Sequence, residues 1–329
     1  MRILKFGGKS LSTIKKMQNI AYFIKKCYEN DKKLIIIVSA MGSYTENIYK
    51  KFSSCCDLNM SKKELAVALS TGETLSSSLM TCILNSINVP AECLQGFQVP
   101  ILCKGDNTNA IICSISKERI NEIINENKVV VIAGFQGIND KNEIVTLGRG
   151  GSDTTAAALG AVFLKTVELF SDFDGIYAGD PRENSFKKYN KVSNKEITKL
   201  ACAGSKVICK RALKIAEKFG IDFISKSSKN PNSSGTYVAC KSSKTQIEEK
   251  QFFISNQDNL CEISIIFNNY CDFIINGDLF KLINFDAHIL KINYHDNQIS
   301  LLVSMNDKKK IIDKISSWLN ILNKKQNKQ

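Results

Sequence analysis

The chain has 329 residues, 43% hydrophobic and 23% charged, proportions of an ordinary globular protein that exclude a disordered chain or a short disulfide scaffold. Its 45 basic residues exceed its 32 acidic ones by 13, but the lysines are scattered and the densest runs, Lys308-Lys309-Lys310 and Lys324-Lys325, stand near the C-terminus. No basic stripe with interleaved aromatics therefore points to nucleic acid, and no apolar run reaches the ~18 residues that a membrane helix needs.

Residues 1–8, Met-Arg-Ile-Leu-Lys-Phe-Gly-Gly, lack the apolar stretch and cleavage site of a secretory signal, so folded structure is expected from the start, with a cytoplasmic location. The 12 cysteines form no C-x-x-C pair and only His288 and His295 could assist them in binding a metal, so they read as reduced small hydrophobes.

Elements follow in chain order. Arg2 to Phe6 reads as a strand, followed by Gly7-Gly8 and a helix from Leu11 to Glu29, with Ile14, Met17, Ile20, Ala21, Ile24 and Tyr28 at helical spacing. Leu34 to Val38 reads as a buried strand. Helices are predicted over Ser61 to Ser86, Lys117 to Glu126, Asp153 to Leu164, Glu196 to Ala203 and Val207 to Phe219, with apolar strands at Val129 to Phe135 and Val167 to Phe170. Such alternation predicts an α/β fold. A polar, aperiodic stretch from Lys241 to Gln251 reads as a linker. Beyond it come a strand at Cys261 to Phe267, a helix at Asp272 to Ile283, strands at His288 to Tyr294 and Ile299 to Val303 around the turn His295-Asp296-Asn297, and a helix at Lys308 to Leu322. This βαββα order predicts a small α+β sandwich.

Four of the strands run into Gly or small polar residues: Gly7-Gly8, Ser39-Ala40-Met41-Gly42, Gly134-Phe135-Gln136-Gly137 and Ser171-Asp172. Carboxyl ends of parallel strands converge on one rim, where open α/β sheets bind ligands, so the sequence locates a site before it says what is bound.

Gly7-Gly8-Lys9-Ser10 is not a Walker A loop, because position 3 holds Ile3 where that motif needs glycine. What remains is Lys5 in an apolar strand leading to glycines at a helix start, an arrangement suited to phosphate, although an edge-strand lysine with its ammonium in water would look the same. Gly148-Arg149-Gly150-Gly151-Ser152-Asp153 opens the helix that follows. Ser152 or Asp153 could simply cap it, but a cap needs neither three glycines nor an arginine. Arg149 can take a carboxylate bidentately, and Asp153 can orient a lysine or a metal near a phosphoryl group. The acid-rich run from Ser171 to Arg182 lacks the ligand spacing of an EF-hand, and nucleotide recognition is preferred, with Tyr177 near base or sugar and Arg182 on phosphates.

Taken in order, Lys5-Phe6-Gly7-Gly8, Ser39-Ala40-Met41-Gly42, Ser70-Thr71-Gly72-Glu73, the LGRGGSDTTAAAL stretch at 147–159 and Asp172-Phe173-Asp174-Gly175-Ile176-Tyr177 through Asp180-Pro181-Arg182 resemble the aspartokinases of the amino-acid kinase superfamily. The resemblance spans roughly residues 1 to 240, and the remainder resembles a regulatory ACT domain in element order. It implies a three-layer α/β sandwich with a mainly parallel central sheet over residues 1–243, and a small ACT-like regulatory or dimerisation domain over 252–329 with room for about one unit where the family has two.

The activity so implied is transfer of the γ-phosphoryl group of MgATP to the β-carboxylate of L-aspartate, the first step toward lysine, threonine and methionine, by a homodimer or higher homo-oligomer. Lys5, Gly7 and Gly8 would hold phosphates, and Asp153 would organise the catalytic lysine. Ser39, Thr45, Glu73 and Arg149 would bind aspartate, with Glu73 facing its ammonium. Ser171, Asp172, Tyr177, Arg182 and Lys206 would bind nucleotide, and Mg2+ would be held by ATP oxygens and water. The chain departs from the family pattern at Lys9 and Ser171, each in place of a threonine, and at Cys209-Lys210, in place of His-Pro.

Overall fold

In the computed structural model, residues 1–58, 61–177, 188–194, 196–197, 208–240, 251–257, 260–266, 289–295 and 298–326 are described. The chain divides into two compact units, one of residues 1–176, 190–197 and 208–243, the other of 177–189, 198–207 and 244–329.

The first unit begins with β1 (Arg2–Phe6), α1 (Ile14–Asn30) and β2 (Leu34–Val38). Thr13 caps α1 by accepting the Lys16 N–H at 3.3 Å, and Met17, Ile20, Ala21, Ile24 and Cys27 form its buried stripe. Ile14, expected in that stripe, is exposed because it is the first residue of the helix. The next elements are α2 (Tyr44–Ser53), α3 (Lys62–Ser86), β3 (Ala91–Leu94), β4 (Ile101–Lys104), β5 (Ile111–Ile115), α4 (Glu118–Asn125), β6 (Val129–Ala133), β7 (Gln136–Ile138), β8 (Ile144–Thr146), α5 (Gly151–Phe163) and β9 (Val167–Ser171). After β10 (Ile176–Tyr177) and β11 (Lys188–Tyr189), the first unit closes with β12 (Lys191–Ser193), α6 (Lys210–Phe219), β13 (Phe223–Ser227) and β14 (Thr236–Ala239).

Eight of these strands form one sheet in the order β12-β14-β13-β9-β1-β2-β6-β3, parallel except between β13 and β14. Every residue of β2 and β6 is buried, as expected of parallel strands covered on both faces. Alternation sends Leu4, Phe6, Ile36, Val38, Val129 and Val131 into a core shared with α1 and with Met80 and Leu84 of α3. Ile3 and Lys5 take the opposite face, where α5 packs on β1 and β2. Helices on both sides of a mainly parallel sheet make the expected three-layer α/β sandwich.

The run from Val129 to Phe135 is not one strand. It leaves the large sheet after Ala133 and re-enters, as β7, a four-stranded sheet of order β5-β4-β7-β8. Phe135 makes the turn with φ of 69°, a left-handed backbone that ends a strand whatever the apolar pattern.

In the second unit, β15 (Gln251–Gln257), β16 (Leu260–Ile266), β17 (Ile289–His295) and β18 (Gln298–Ser304) form an antiparallel sheet of order β15-β16-β18-β17, followed by α7 (Lys308–Gln326). Cys261, Ile263, Ile265, Ile299, Leu301 and Val303 are buried at alternate positions, and Ile311, Ile312 and Ile315 of α7 are buried at helical spacing. β15 starts where the linker was expected to end, because antiparallel pairing with β16 makes a strand of a segment whose pattern alone does not. The helix read at Asp272 to Ile283 lies outside the described residues. Among the described residues, no helix is long and apolar enough to cross a membrane.

Candidate active site

The strands β9, β1, β2 and β6 are neighbours in register. Phe6 lies beside Phe170 on one side and Val38 on the other, and Val38 beside Ala133, so the four tips predicted to converge do form one rim. The chain seals it with backbone bonds across the tips: Gly7 N–H to Phe170 O at 3.1 Å, Ser39 N–H to Phe6 O at 3.1 Å, Gly134 N–H to Val38 O at 3.1 Å and Gly42 N–H to Gly8 O at 3.0 Å. Among the described residues, the N–H groups of Gly8 and Lys9 have no acceptor, which leaves two amides at the rim for an anion.

Lys5 belongs to an inner strand, which removes the edge-lysine reading. Its ammonium, with the side chain 12% exposed, lies 2.6 Å from Asp153 Oδ1. Asp153 reaches it from the first turn of α5. That helix begins at Gly151 behind Gly150, a left-handed residue (φ 71°) with no side-chain cap, so neither Ser152 nor Asp153 serves as the cap and Asp153 is free to pair with Lys5. Arg149 is exposed, four residues before Asp153 on the loop leading into the same helix.

Glu73 comes from α3 on the other side of the sheet and is 4% exposed. One carboxylate oxygen has no hydrogen-bond partner among the described residues. Burial pushes its pKa from 4.5 up to about 7, against the opposing pull of the Ala40 N–H and of Lys5. A buried carboxyl with a free oxygen beside a rim of cations suits a ligand that brings an ammonium group. The Ser10 hydroxyl is likewise buried and without a partner, in the turn that follows Gly7-Gly8. Ser39 directly follows β2, and Thr45 is half-buried in the first turn of α2.

On the far side of β1, Lys9 Nζ is 3.9 Å from Asp172 Oδ2, with both side chains more exposed than those of the Lys5 pair. Ser171 accepts the Ser228 N–H at 2.7 Å and its hydroxyl at 2.9 Å on the main-chain oxygen, which ties the tip of β13 to that of β9. Tyr177 ends β10 and is grouped with the second unit, while Arg182, Lys206 and most of the helix read at Glu196 to Ala203 lie outside the described residues.

Three contributors were not singled out as site residues. Ser228 is one. The others are Cys209 and Arg211 at the start of α6, which begins at Lys210 and not at Val207. The Cys209 thiol accepts the Ala212 N–H as the helix cap at 3.4 Å and donates to Gly150 O at 3.2 Å, and Arg211 donates to Leu147 O at 2.6 Å. The periodicity of α6 gave Arg211 no signal beyond that of a solvated helix face.

The profile of the amino acid kinase family matches residues 1–224, the part of the chain that holds most of the α/β sandwich and the rim: the chain belongs to that family. Among proteins it resembles, the aspartokinase of Rickettsia bellii is 36% identical over 269 residues, covering 80% of this chain and 66% of the relative. The aspartokinase of Helicobacter pylori strain J99 is 34% identical over 241 residues, covering 73% and 59%. The chain thus spans just under two thirds, or less, of the length of these relatives. A crystal structure of E. coli aspartokinase III in complex with aspartate and ADP superposes with a TM-score of 0.76 at 18% identity, covering 95% of this chain and 98% of that one, a likeness of fold.

Proposed function

We propose that the chain is an aspartate kinase, transferring the γ-phosphoryl group of MgATP to the β-carboxylate of L-aspartate to give 4-phospho-L-aspartate. The observation that carries this reading is the Lys5–Asp153 pair at 2.6 Å on a rim that also holds the partly unsatisfied carboxyl of Glu73. Both reactants are anions. Transfer therefore needs in-line alignment and neutralisation of charge on the moving phosphoryl group more than it needs a protein nucleophile.

Lys5 supplies the cation, and Asp153 fixes its ammonium so that no reorientation is needed as charge develops. Gly7 and Gly8 border the phosphates. Glu73, ionised once an ammonium is beside it, takes the amino group of aspartate, Arg149 takes a carboxylate, and Ser39 and Thr45 line that end. Ser171, Asp172, Tyr177, Arg182 and Lys206 are assigned to the nucleotide. Mg2+ would come with ATP, held by phosphate oxygens and water, and the rim carboxylate of Asp153 would stay with its lysine. Residues 252–329 are assigned as an ACT-like regulatory or dimerisation domain, and the protein as a cytoplasmic homo-oligomer.

The test is purified protein with MgATP, aspartate and hydroxylamine. Aspartyl hydroxamate is expected, and none above a heat-killed control would refute the assignment. Separate addition of lysine and threonine to this assay, with gel filtration, tests the role given to the second unit.

A further inference from the structure

Helix α6 approaches the glycine loop from behind, and its first turn makes contacts that a solvated helix face does not need. Arg211 Nη1 donates to Leu147 O at 2.6 Å and Ala110 O at 3.1 Å, and Nη2 donates to Asn109 Oδ1 at 2.7 Å and Asn109 O at 3.5 Å. Three of the four acceptors are main-chain carbonyls. The planar fork of a guanidinium suits such a cluster, and a lysine could not serve all of them at once. No carboxylate is among the partners of Arg211 in the described residues, so its charge is spent on holding backbone in place.

The backbone held is that of the site. Leu147 O is one anchor. At the other end Gly150 O accepts from the Cys209 thiol at 3.2 Å, and a Cβ on Gly150 would collide with Cys209. Next to Leu147, Gly148 (φ 70°) has Asn109 Oδ1 where its Cβ would be, and that oxygen is the one Arg211 grips. Only Gly148 and Arg149 hang between the two anchors. Arg149 is exposed, with no partner among the described residues, so the direction of its long side chain depends on a backbone pinned at both ends.

We propose that Arg211 is a positioning residue that sets the affinity of the site for its acidic acceptor by holding the 147–151 loop from which Arg149 projects. The proposal rests on the reading of Arg149 as the ligand of an acceptor carboxylate. Releasing one anchor of a short glycine loop makes the ligand pay for ordering it, a cost on the order of a tenfold change in affinity for a few backbone and side-chain torsions.

The experiment compares Arg211→Gln, Arg211→Lys and Asn109→Ala with the parent protein in two readouts. In steady-state kinetics, R211Q is expected to raise KM for aspartate about tenfold while kcat and KM for MgATP stay within about threefold, with R211K between the two. In limited trypsinolysis read by mass spectrometry, cleavage after Arg149 is expected to quicken about fivefold in R211Q and to slow again when aspartate is added. A KM for aspartate within twofold of the parent, kcat and both KM values worsening together, or an unchanged rate of cleavage after Arg149 would each overturn the proposal. If R211Q does not fold, R211K and N109A carry the same two criteria. If the parent itself forms no aspartyl hydroxamate, the acceptor assignment fails, and the tryptic rate alone decides whether Arg211 holds the loop.

Discussion

Glu73 offers a stability measurement whose sign is fixed by its surroundings. A carboxyl whose pKa stands at about 7 in the folded protein and near 4.5 in the unfolded chain keeps its proton on folding across that window. The folded state then binds more protons than the unfolded one, so stability is fullest below pH 4.5 and is lost as pH rises through 7. At about 1.4 kcal/mol per pH unit, the rise from 4.5 to about 7 amounts to about 3 kcal/mol at pH 8, and to less than about 1 kcal/mol at pH 5. Glu73→Gln removes the ionisation, and its amide oxygen can still accept the Ala40 N–H. The ligand-free variant is therefore expected to be more stable than the parent by about 3 kcal/mol at pH 8 and by less than about 1 kcal/mol at pH 5. Urea midpoints multiplied by m at the two pH values give these differences directly. The same variant is expected to lose aspartate binding by more than about tenfold, since a charge-assisted contact to the ammonium disappears. Equal stability differences at pH 5 and 8, or a variant less stable than the parent at pH 8, would refute the account of Glu73 as a carboxyl kept desolvated for a cationic group.

Lys5→Ala is expected to lower kcat by about two to three powers of ten, the scale of removing one preorganised electrostatic contact, and a loss below about threefold in the hydroxamate assay would take Lys5 out of the mechanism. Gly150→Ala is expected to cost about 2 kcal/mol in urea unfolding, because a left-handed residue gains a Cβ that meets Cys209; an unchanged midpoint would contradict that geometry. Lys9→Thr removes an exposed cation 3.9 Å from Asp172 and is expected to raise KM for MgATP a few-fold at ~0.01 M salt, the difference vanishing near ~1 M, where the Debye length is about 3 Å. A salt-independent difference would assign Lys9 a packing role instead.

The large sheet was legible because its strands carry a two-sided burial signal: Leu34–Val38 and Val129–Ala133 are unbroken apolar runs of the length of a parallel strand, and α1 and α3 keep their periodicity in the structure. The rim was legible in the same way, since glycines and small polar residues stop each run at its carboxyl end. Less was readable where the backbone, not hydrophobicity, makes the decision. Phe135 turns the chain into another sheet by a positive φ in a residue that rarely adopts one. The short strands of the four-stranded sheet, such as β7 with three residues, are too brief to show a period. β15 exists because β16 lies beside it.

What the order of residues determined by itself was an α/β sheet, the rim where its strand ends converge, and the nomination of Lys5, Arg149 and Asp153, because apolar runs, glycines and isolated charges are properties of the chain that need no partner to be recognised; Glu73 was nominated only through the family resemblance. Tertiary structure alone decided that Lys5 pairs with Asp153 across 148 positions, that Glu73 is dry enough to hold a proton near neutrality, and that Arg211 and Cys209 hold the loop of Arg149 from behind. Those are facts about distance and exclusion of water, and both arise only when helices far apart in the chain close on the same sheet.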